Sequence, residues 1–223
     1  MEFGYRITKR ILDIVCASIA TVFFLVPWVV ISIIIKIQSP GPAIFKARRV
    51  GKNGEVFILY KFRSMRLDSG AIHTTTLRGD PRIFPFGNFL RLSKLDETPQ
   101  LINILLGEMS VIGPRPEDEI NADKLFVGKY KQIFTVKPGL SSPASLYDYA
   151  VGEQFENEMD YEKEFLPNKL DVELYYVEHK NLVYDCAIVI RTIVTIVAVL
   201  LRKDVPIPWE VEKTEKYTLN RTR

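Results

Sequence analysis

The sequence lacks the residues and motifs on which several large classes of protein depend. It contains two cysteines and two histidines in 223 residues, with no C-x-x-C or H-E-x-x-H motif, which argues against dithiol redox centres and zinc sites. A P-loop, a G-x-G-x-x-G turn and a G-x-S-x-G elbow are also absent. The net charge is only +3 and no nucleic-acid-binding motif occurs, so nucleic acid is not an expected partner.

Two further motifs or patterns are absent, and their absence argues against other classes of protein. No D-x-D motif is present, which argues against an ordinary nucleotide-sugar glycosyltransferase, and no internal repeat occurs. Cys16 and Cys186 both lie inside apolar runs, so the sequence predicts buried free thiols in a reducing compartment rather than a disulfide.

What the chain has in abundance is apolar sequence. Hydrophobic residues make up 47% of a chain that is also 26% charged, so the apolar residues must be concentrated in segments. The first segment, Ile14 to Ile35, is interrupted only by Ser18, Thr21 and Ser32. As a helix it would be about 33 Å long, enough to cross a bilayer core. It is too long for the apolar part of a cleavable signal peptide, and no small-residue cleavage site follows it.

The flanks of this segment favour a helix that returns to the side from which it came, although a plain spanning anchor is the simpler alternative. Basic residues stand on both sides, including Lys9 and Arg10 before it and Lys36 and Lys46 after it, and both flanks therefore have the character of a cytoplasmic loop. Pro27 lies in mid-segment, where proline removes a backbone hydrogen bond and bends a helix. A re-entrant helix that breaks near Pro27 satisfies both flanks.

The second apolar stretch, Leu182 to Leu201, contains Asp185 and Arg191. Either charge would be costly at the centre of a bilayer. The pattern therefore predicts an amphipathic helix in the membrane interface, with Arg202 and Lys203 held among headgroups. The polar tail that follows is expected to be loosely ordered.

Between the apolar segments the sequence predicts a small β-hairpin. Ala43 to Val50 and Glu55 to Phe62 flank Lys52-Asn53-Gly54, and Asn-Gly is a strong hairpin turn signal. The fold class is therefore α/β: a compact monotopic membrane protein with a re-entrant helix-break-helix, a hairpin and interfacial helices. Its expected parts are a membrane helix over 1–38, a cytoplasmic catalytic domain over 39–203 and a tail over 204–223. The polar stretch Asp68 to Asp80 is predicted to be a mobile loop over the catalytic site.

Asp96 and Glu97 are the strongest candidates for chemistry. They stand where a polar loop changes to an apolar helical pattern, with Pro99 in the first turn, and a helix start favours both a carboxylate and a phosphate. The alternative is structural, because Ser93-x-x-Asp96 also fits a helix cap. A second loop, Gly113 to Pro116, presents Arg115 as a fixed fork for phosphate oxygens. Arg91, five positions before Asp96, is predicted to point to the same corner or else to be interfacial.

Three strings of this sequence closely resemble the bacterial sugar transferases, the monotopic polyprenyl-phosphate phosphoglycosyl transferases that start glycan assembly on a lipid carrier. They are Leu59-Tyr60-Lys61-Phe62-Arg63-Ser64-Met65, then Leu95-Asp96-Glu97 with Pro99-Gln100-Leu101, and then Gly107-Glu108-Met109-Ser110 leading into Gly113-Pro114-Arg115-Pro116. The strings stand in the family's order and spacing, and the resemblance extends from about Lys9 to about Leu201.

The resemblance implies a reaction and a set of roles. A sugar 1-phosphate would pass from a UDP-sugar to polyprenyl (undecaprenyl) phosphate with release of UMP, as the first membrane step of exopolysaccharide, O-antigen or glycoprotein synthesis. Asp96 would be the nucleophile that carries the phosphosugar, and Glu97 would help it hold Mg²⁺ or would orient the pair. Phosphate and substrate contacts are implied for Arg115, Arg91, Lys61, Arg63 and Pro114. The expected location is the cytoplasmic face of the bacterial inner membrane, among membrane lipids, and a homodimer stays open.

The sequence departs from the family pattern at two places. Val26 replaces the serine of the family's Ser-Pro bend, and a hydroxyl that could satisfy broken helix bonds is therefore missing. After the family's basic-Pro-Gly turn, Lys137-Pro138-Gly139, the segment Ser141 to Ser145 departs from Thr-Gly-x-x-Gln in a region implied to contact sugar or uridine. Two other functions also fit an Asp-Glu pair at a membrane: a hydrolase of lipid-linked phosphates, and an inactive scaffold of a glycan assembly complex.

Overall fold

The computed structural model describes residues 2–67, 80–152 and 161–214. The predicted covering loop therefore lies outside the described residues except for Asp80. The described residues form an α/β arrangement that is mostly helical, with two small sheets of two strands each. Helices pack against both sheets, and the α/β class expected from the sequence is confirmed at this level.

Helix α1 runs from Glu2 to Gln38 without interruption, and Pro27 lies inside it. The predicted break at Pro27 is therefore not seen. One face of the helix explains why: residues before and after Pro27 pack against the same folded body. Ala17 and Phe24 belong to a core with the hairpin and helix α3 (Gln100–Leu106), and Ile31 and Ile35 belong to the next core along the helix.

Polar contacts tie α1 to this body along its length. Near the N-terminus, Tyr5 and Lys9 both donate hydrogen bonds of 2.9 Å to Asp185. In the middle, the buried carboxylate of Asp13 accepts from the hydroxyl of Ser110 at 2.8 Å and from a backbone N–H at 2.9 Å. Beyond Pro27, the indole of Trp28 donates to Thr98 at 2.9 Å. Both ends of α1 are therefore attached to one body.

The opposite face of α1 is apolar and exposed, as is much of the last long helix, α7, from Leu182 to Leu200. Both helices are long and apolar enough to cross a membrane by length and composition alone. Cys16 and Cys186 are exposed on them, so the prediction of buried thiols is wrong. The apolar runs that contain them bury one face only, and these cysteines stand on the other.

The predicted hairpin is confirmed in position. Strand β1, Ile44–Val50, pairs antiparallel with β2, Val56–Phe62, through a 3₁₀ turn at Lys52–Gly54. Asn53 and Gly54 at the turn both have positive φ, 58° and 82°, as an Asn-Gly turn requires.

The remaining elements follow in chain order. They are α2 (Pro85–Leu92), a 3₁₀ turn (Leu95–Glu97), α3 (Gln100–Leu106), β3 (Ser110–Ile112), α4 (Glu119–Leu125), a 3₁₀ segment (Gly128–Thr135), β4 (Gly139–Ser141), α5 (Pro143–Ala150), a π-helical turn (Tyr161–Phe165), α6 (Leu166–His179) and α7. Strands β3 and β4 are parallel. Their pairing brings the loops that follow them, one bearing Arg115 and the other leading into α5, to the same edge.

The start of the tail is more ordered than its polar composition indicates. Residues 209–214 are helical, and Glu210 is fully buried between Arg191 and Tyr184 of α7. Arg191 therefore has its charge paired within the protein. The carboxylate of Glu210 explains why Arg191 can lie in an apolar helix. This pair was not predicted from the sequence.

Candidate active site

The chain reaches Asp96 by a tight turn and not at the first turn of a helix. Lys94 adopts a left-handed conformation (φ 54°, ψ 17°) and leads into the 3₁₀ turn that contains Asp96 and Glu97. Helix α3 begins only at Gln100, with Pro99 at its cap position. The expectation that the helix begins at the carboxylates is therefore corrected by about one turn, because the left-handed residue forces a separate turn first.

Neither carboxylate is used as a helix cap. The 3₁₀ turn and α3 both lack a side-chain cap, and the hydroxyl of Ser93 donates instead to the carbonyl of Phe89 at 2.8 Å. The structural explanation of the Asp-Glu pair therefore fails. Asp96 is 5% exposed, and its Oδ1 has no hydrogen-bond partner, which is unusual for a buried charged atom and typical of a functional group awaiting a ligand.

The pKa values of the two neighbouring carboxyl groups are shifted in opposite directions. Burial and, to a smaller extent, the charge of Glu97 raise the pKa of Asp96 to about 6, against the opposing effect of Lys94 and other cations. Burial also acts to raise the pKa of Glu97, but Arg115, Lys94 and Lys61 together outweigh it and hold that pKa well below its usual range. Such a split assigns different tasks to the two groups.

Arg115 reaches the pair from the loop after β3. Its Nη2 lies 3.2 Å from Oε1 of Glu97. The loop is fixed at its base because Gly139 donates to the carbonyl of Pro114 at 2.8 Å. The backbone N–H of Arg115 donates to the buried carboxylate of Glu173 at 2.9 Å. Pro114 therefore positions the arginine through its backbone.

Lys61 and Arg91 are brought to the same corner. Asn103 of α3 bonds the carbonyl of Ile58 and the N–H of Tyr60, which lays strand β2 along α3 and places Lys61 beside the carboxylates. Burial lowers the pKa of Lys61 to about 8 in spite of the opposing charges of Asp96 and Glu97. Arg91, in the last turn of α2, is close enough to act on both Asp96 and Lys61.

Lys94 is a further cation of this site that was not predicted from the sequence. Its Nζ lies 3.9 Å from Oε1 of Glu97 and 4.6 Å from the centre of the Tyr149 ring, and it is the cation with the largest effect on the pKa of Asp96. Its position two residues before Asp96 could have identified it as a candidate site residue. Four cations therefore surround two carboxylates, and the excess of two positive charges matches a diphosphate.

A buried ion pair beside Arg115 was also missed. Lys169 of α6 is 6% exposed and lies 3.2 Å from Asp148 of α5. Burial opposes ionisation of Asp148, but Lys169, Arg115 and Lys94 outweigh it and lower the pKa of that carboxyl. No sequence pattern indicated this pair, because a lysine in an amphipathic helix is ordinarily solvated.

The segment that departs from the family pattern has a structural role in this chain. Ser142 caps α5 by accepting from the N–H of Ser145 at 3.0 Å, and its hydroxyl donates to Glu173 at 2.9 Å. Lys137, in the turn before it, lies beside Gly107 at the C-terminal end of α3. That end is opposite to the one that Asp96 and Glu97 precede.

Arg63 is the one predicted site residue that the structure does not bring to the carboxylates. It is 2% exposed, and its guanidinium donates to the carbonyl of Pro40 at 2.7 Å and to that of Ser39. These carbonyls follow the end of α1, where helices leave acceptors unsatisfied. Arg63 therefore joins the end of α1 to the hairpin, and its expected contact with phosphate is replaced by this one.

Replacing Arg63 by Gln tests that assignment. We expect loss of the two carbonyl contacts to cost roughly 2 kcal/mol of stability, since hydrogen bonds from charged groups contribute about 1.5–3 kcal/mol. Thermal unfolding of the purified variant would show this as a lowered Tm, with turnover per folded molecule kept. A normal Tm together with a large rise in KM for the donor substrate would instead show that Arg63 binds substrate in the active site.

The carboxylate pair fits a magnesium ion. Within the three described ranges, no group of three or more His, Cys, Asp or Glu side chains is arranged as a metal site. Mg²⁺ does not need one, because it is commonly held by one or two carboxylates together with substrate phosphates and water. The unpartnered Oδ1 of Asp96, next to the ionised Glu97, offers the oxygen ligands that this ion prefers.

Comparison with known proteins places this site in a family. The sequence profile described as "Bacterial sugar transferase" matches residues 4–199. A protein of Bacillus subtilis, named provisionally as an undecaprenyl-phosphate N-acetylgalactosaminyl 1-phosphate transferase, is 46% identical over 123 residues, which cover 54% of this chain and 68% of that protein. The exopolysaccharide production protein PSS of Rhizobium leguminosarum is 35% identical over 199 residues, 85% of this chain and 94% of its own.

A third relative is longer than the part that matches. The UDP-glucose:undecaprenyl-phosphate glucose-1-phosphate transferase of Escherichia coli is 32% identical over 191 residues. The match covers 84% of this chain but only 40% of that protein. Asp96, Glu97 and Arg115 all lie within the residues that the family profile matches.

Proposed function

This chain belongs to the bacterial sugar transferase family, and on that basis we propose that it is a phosphoglycosyl transferase that moves a sugar 1-phosphate from a UDP-sugar to undecaprenyl phosphate. UMP is the second product, and the reaction is the first membrane step of glycan synthesis. Relatives carry names of this kind, including the glucose-1-phosphate transferase of E. coli.

The observation that carries the proposal is the unpartnered, buried carboxylate of Asp96 inside a ring of cations. A diphosphate approaching this corner meets Lys61, Arg91, Lys94 and Arg115, which offset the repulsion between its oxygens and an attacking carboxylate. Neither Asp96 nor Glu97 caps a helix, and Glu97 forms ion pairs with Arg115 and Lys94, two of these cations.

The reaction that we propose has two steps. An oxygen of Asp96 attacks the β-phosphorus of the UDP-sugar, the bond from that phosphorus to the bridging oxygen breaks, and UMP leaves with the electron pair. Asp96 then carries the sugar phosphate as an acyl phosphate. In the second step, a phosphate oxygen of undecaprenyl phosphate attacks the same phosphorus and restores the carboxylate. Dividing one transfer into two is the usual advantage of a covalent intermediate.

Other residues keep this geometry and charge in place. Glu97 stays ionised, holds Arg115 at 3.2 Å and, with Asp96, would hold Mg²⁺. When bound, the ion would lower the negative charge on the phosphate oxygens. Arg115 would bind those oxygens through its free guanidinium nitrogens, and Glu173 and Pro114 hold its backbone.

The arrangement of α1 supports a monotopic position in the membrane. Its first turns bind Asp185 and its far end, at Ser39 and Pro40, binds Arg63, so both ends contact one body that carries the charged site. A straight crossing would force that body through the bilayer. We propose that both ends of α1 stay on the cytoplasmic side, with the apolar faces of α1 and α7 in lipid and basic residues at the surface.

The experiment is release of UMP from a panel of UDP-sugars by the full chain in nanodiscs, with Mg²⁺ and with or without undecaprenyl phosphate. We expect sustained release from one sugar, dependent on the lipid and abolished by EDTA. Free sugar phosphate formed without the acceptor would show a hydrolase. If no UDP-sugar releases UMP, the proposal is contradicted and the inactive scaffold of a glycan assembly complex is favoured.

The pH dependence of the reaction follows from Asp96. Because attack requires the carboxylate and the pKa of Asp96 is raised to about 6, kcat/KM should fall about tenfold per pH unit below pH 6. Lys94→Met removes the cation that most opposes this shift, so it should move the acidic limb to higher pH. Lys94→Arg is the matched control and should leave the limb unchanged; an unshifted limb in Lys94→Met would contradict the assignment.

A further inference from the structure

Lys137 is a motif residue that the proposed reaction does not use. A Cβ placed on Gly107 would lie 3.4 Å from Nη2 of Arg10 and 3.6 Å from Nζ of Lys137. Gly107 follows the last turn of α3 with φ 91°. A cation of α1 and a cation of the turn before β4 therefore flank the C-terminal end of α3.

Several positive charges act on Lys137 at this end of α3. Burial lowers the pKa of Lys137, and the charges of Arg10, Lys52 and Arg6 lower it further. Asp13 is the acid that acts most strongly in the opposite direction, but its two oxygens already accept from the hydroxyl of Ser110 and the N–H of Val111. Arg6 and Arg10 of α1 and Lys52 of the hairpin turn therefore all act on Lys137 at this end of α3.

Arg10 is held in place by the helix that ends there. Its guanidinium donates to the carbonyl of Ile104 at 2.6 Å and to that of Leu105 at 3.1 Å. These are carbonyls of the last turn of α3, which attract cations. Two bonds leave further N–H groups of the guanidinium available to an anion.

The cationic position borders the apolar surface. Leu106 at the end of α3 is 63% exposed, and Ile7 and Ile11 of α1 are 46% and 56% exposed. Arg6 and Arg10 each stand one residue before these isoleucines. Cations along the border of an apolar surface are where phospholipid headgroups meet a membrane protein.

We propose that Arg6, Arg10, Lys52 and Lys137 form a binding site for the phosphate of an anionic phospholipid headgroup. The inference rests on the membrane face of the proposed function. A lipid fits better than a free anion because the cations adjoin apolar side chains that its acyl chains would cover. The acceptor substrate fits less well, because its phosphate must reach Asp96 at the other end of α3.

The test is thermal unfolding of the full chain in neutral detergent as phosphatidylglycerol or phosphatidylcholine is added. Phosphatidylglycerol should raise the Tm of the wild type by about 3–5 °C more than phosphatidylcholine does, as expected for a ligand at about ten times its Kd. Arg6→Gln combined with Lys137→Gln should lose this difference. Lys137→Gln alone should lose about half of it, which keeps the test usable if the double variant does not fold.

The matched control is Lys124→Gln combined with Lys131→Gln, which removes the same charge from α4 and the 3₁₀ segment and should keep the full difference. The proposal is overturned if the Arg6/Lys137 variant keeps it too, or if phosphatidylglycerol has no advantage in the wild type. An equal rise with inorganic phosphate would overturn the lipid assignment. UMP release in phosphatidylcholine nanodiscs tests the proposed reaction separately, so the two failures are distinguishable.

Discussion

Asp96→Asn is expected to lower the rate of sugar-phosphate transfer at least 1,000-fold, roughly the scale on which loss of a covalent nucleophile acts. The amide has the same shape as the carboxylate but is a poor nucleophile at phosphorus. Steady-state UMP release from the preferred UDP-sugar, with acceptor present, measures the effect. Wild-type turnover in this variant would exclude Asp96 as the nucleophile.

The same substitution should leave the protein folded and somewhat more stable. Because burial and Glu97 raise the pKa of Asp96 in the folded protein, its ionised form destabilises the fold at pH values above that pKa. Asn removes the charge, so at pH 7.5 the Tm should rise by a few degrees, about 2–4 °C per kcal/mol for a chain of this size. Loss of activity with a raised Tm separates a chemical role from unfolding, whereas a lowered Tm would place Asp96 in the structural framework.

Arg115→Gln should produce the second large effect, a fall in kcat of about 100- to 1,000-fold, the scale on which loss of one charge-stabilising donor acts. The guanidinium lies 3.2 Å from Glu97 and is positioned to bind phosphate oxygens. Arg115→Lys should recover little, because an ammonium lacks the planar fork. The split between kcat and KM, from UMP release at varied donor concentration, measures the effect.

Arg48→Gln is the matched control for this prediction. Arg48 makes a 2.7 Å ion pair with Glu119 on the exposed side of the hairpin, so the substitution removes the same charge away from the carboxylates. Exposed pairs contribute little, and turnover should stay within about twofold of the wild type. Equal losses in both variants would show a general effect of net charge and contradict the specific role of Arg115.

Local patterns were sufficient for much of this fold. The Asn53-Gly54 turn predicted the hairpin because few residues accept positive φ at both turn positions. The Asp96-Glu97 motif and the rigid loop around Arg115 identified the two halves of the site. Their approach depends on the parallel pairing of β3 and β4, a contact between distant segments that periodicity cannot reveal.

The errors have a common physical origin. The sequence shows that α1 is apolar, but it does not show which body covers one face of it, and that body determines why the helix continues through Pro27. Arg63 was expected in the site because it lies two residues after Lys61 in one motif. Strand β2 ends at Phe62, so Arg63 does not continue the alternation that would place it on the same face as Lys61. Its guanidinium binds the carbonyls at the end of α1 instead.

The central claim is that Asp96 carries the sugar phosphate, and the most direct measurement is the mass of the intact protein after rapid mixing with the donor substrate in the absence of acceptor. We predict a gain of one sugar phosphate, equal in amount to the UMP formed, located on the peptide that contains Asp96 and discharged by undecaprenyl phosphate. UMP formation that always requires the acceptor, with a protein mass that never changes, would contradict the account.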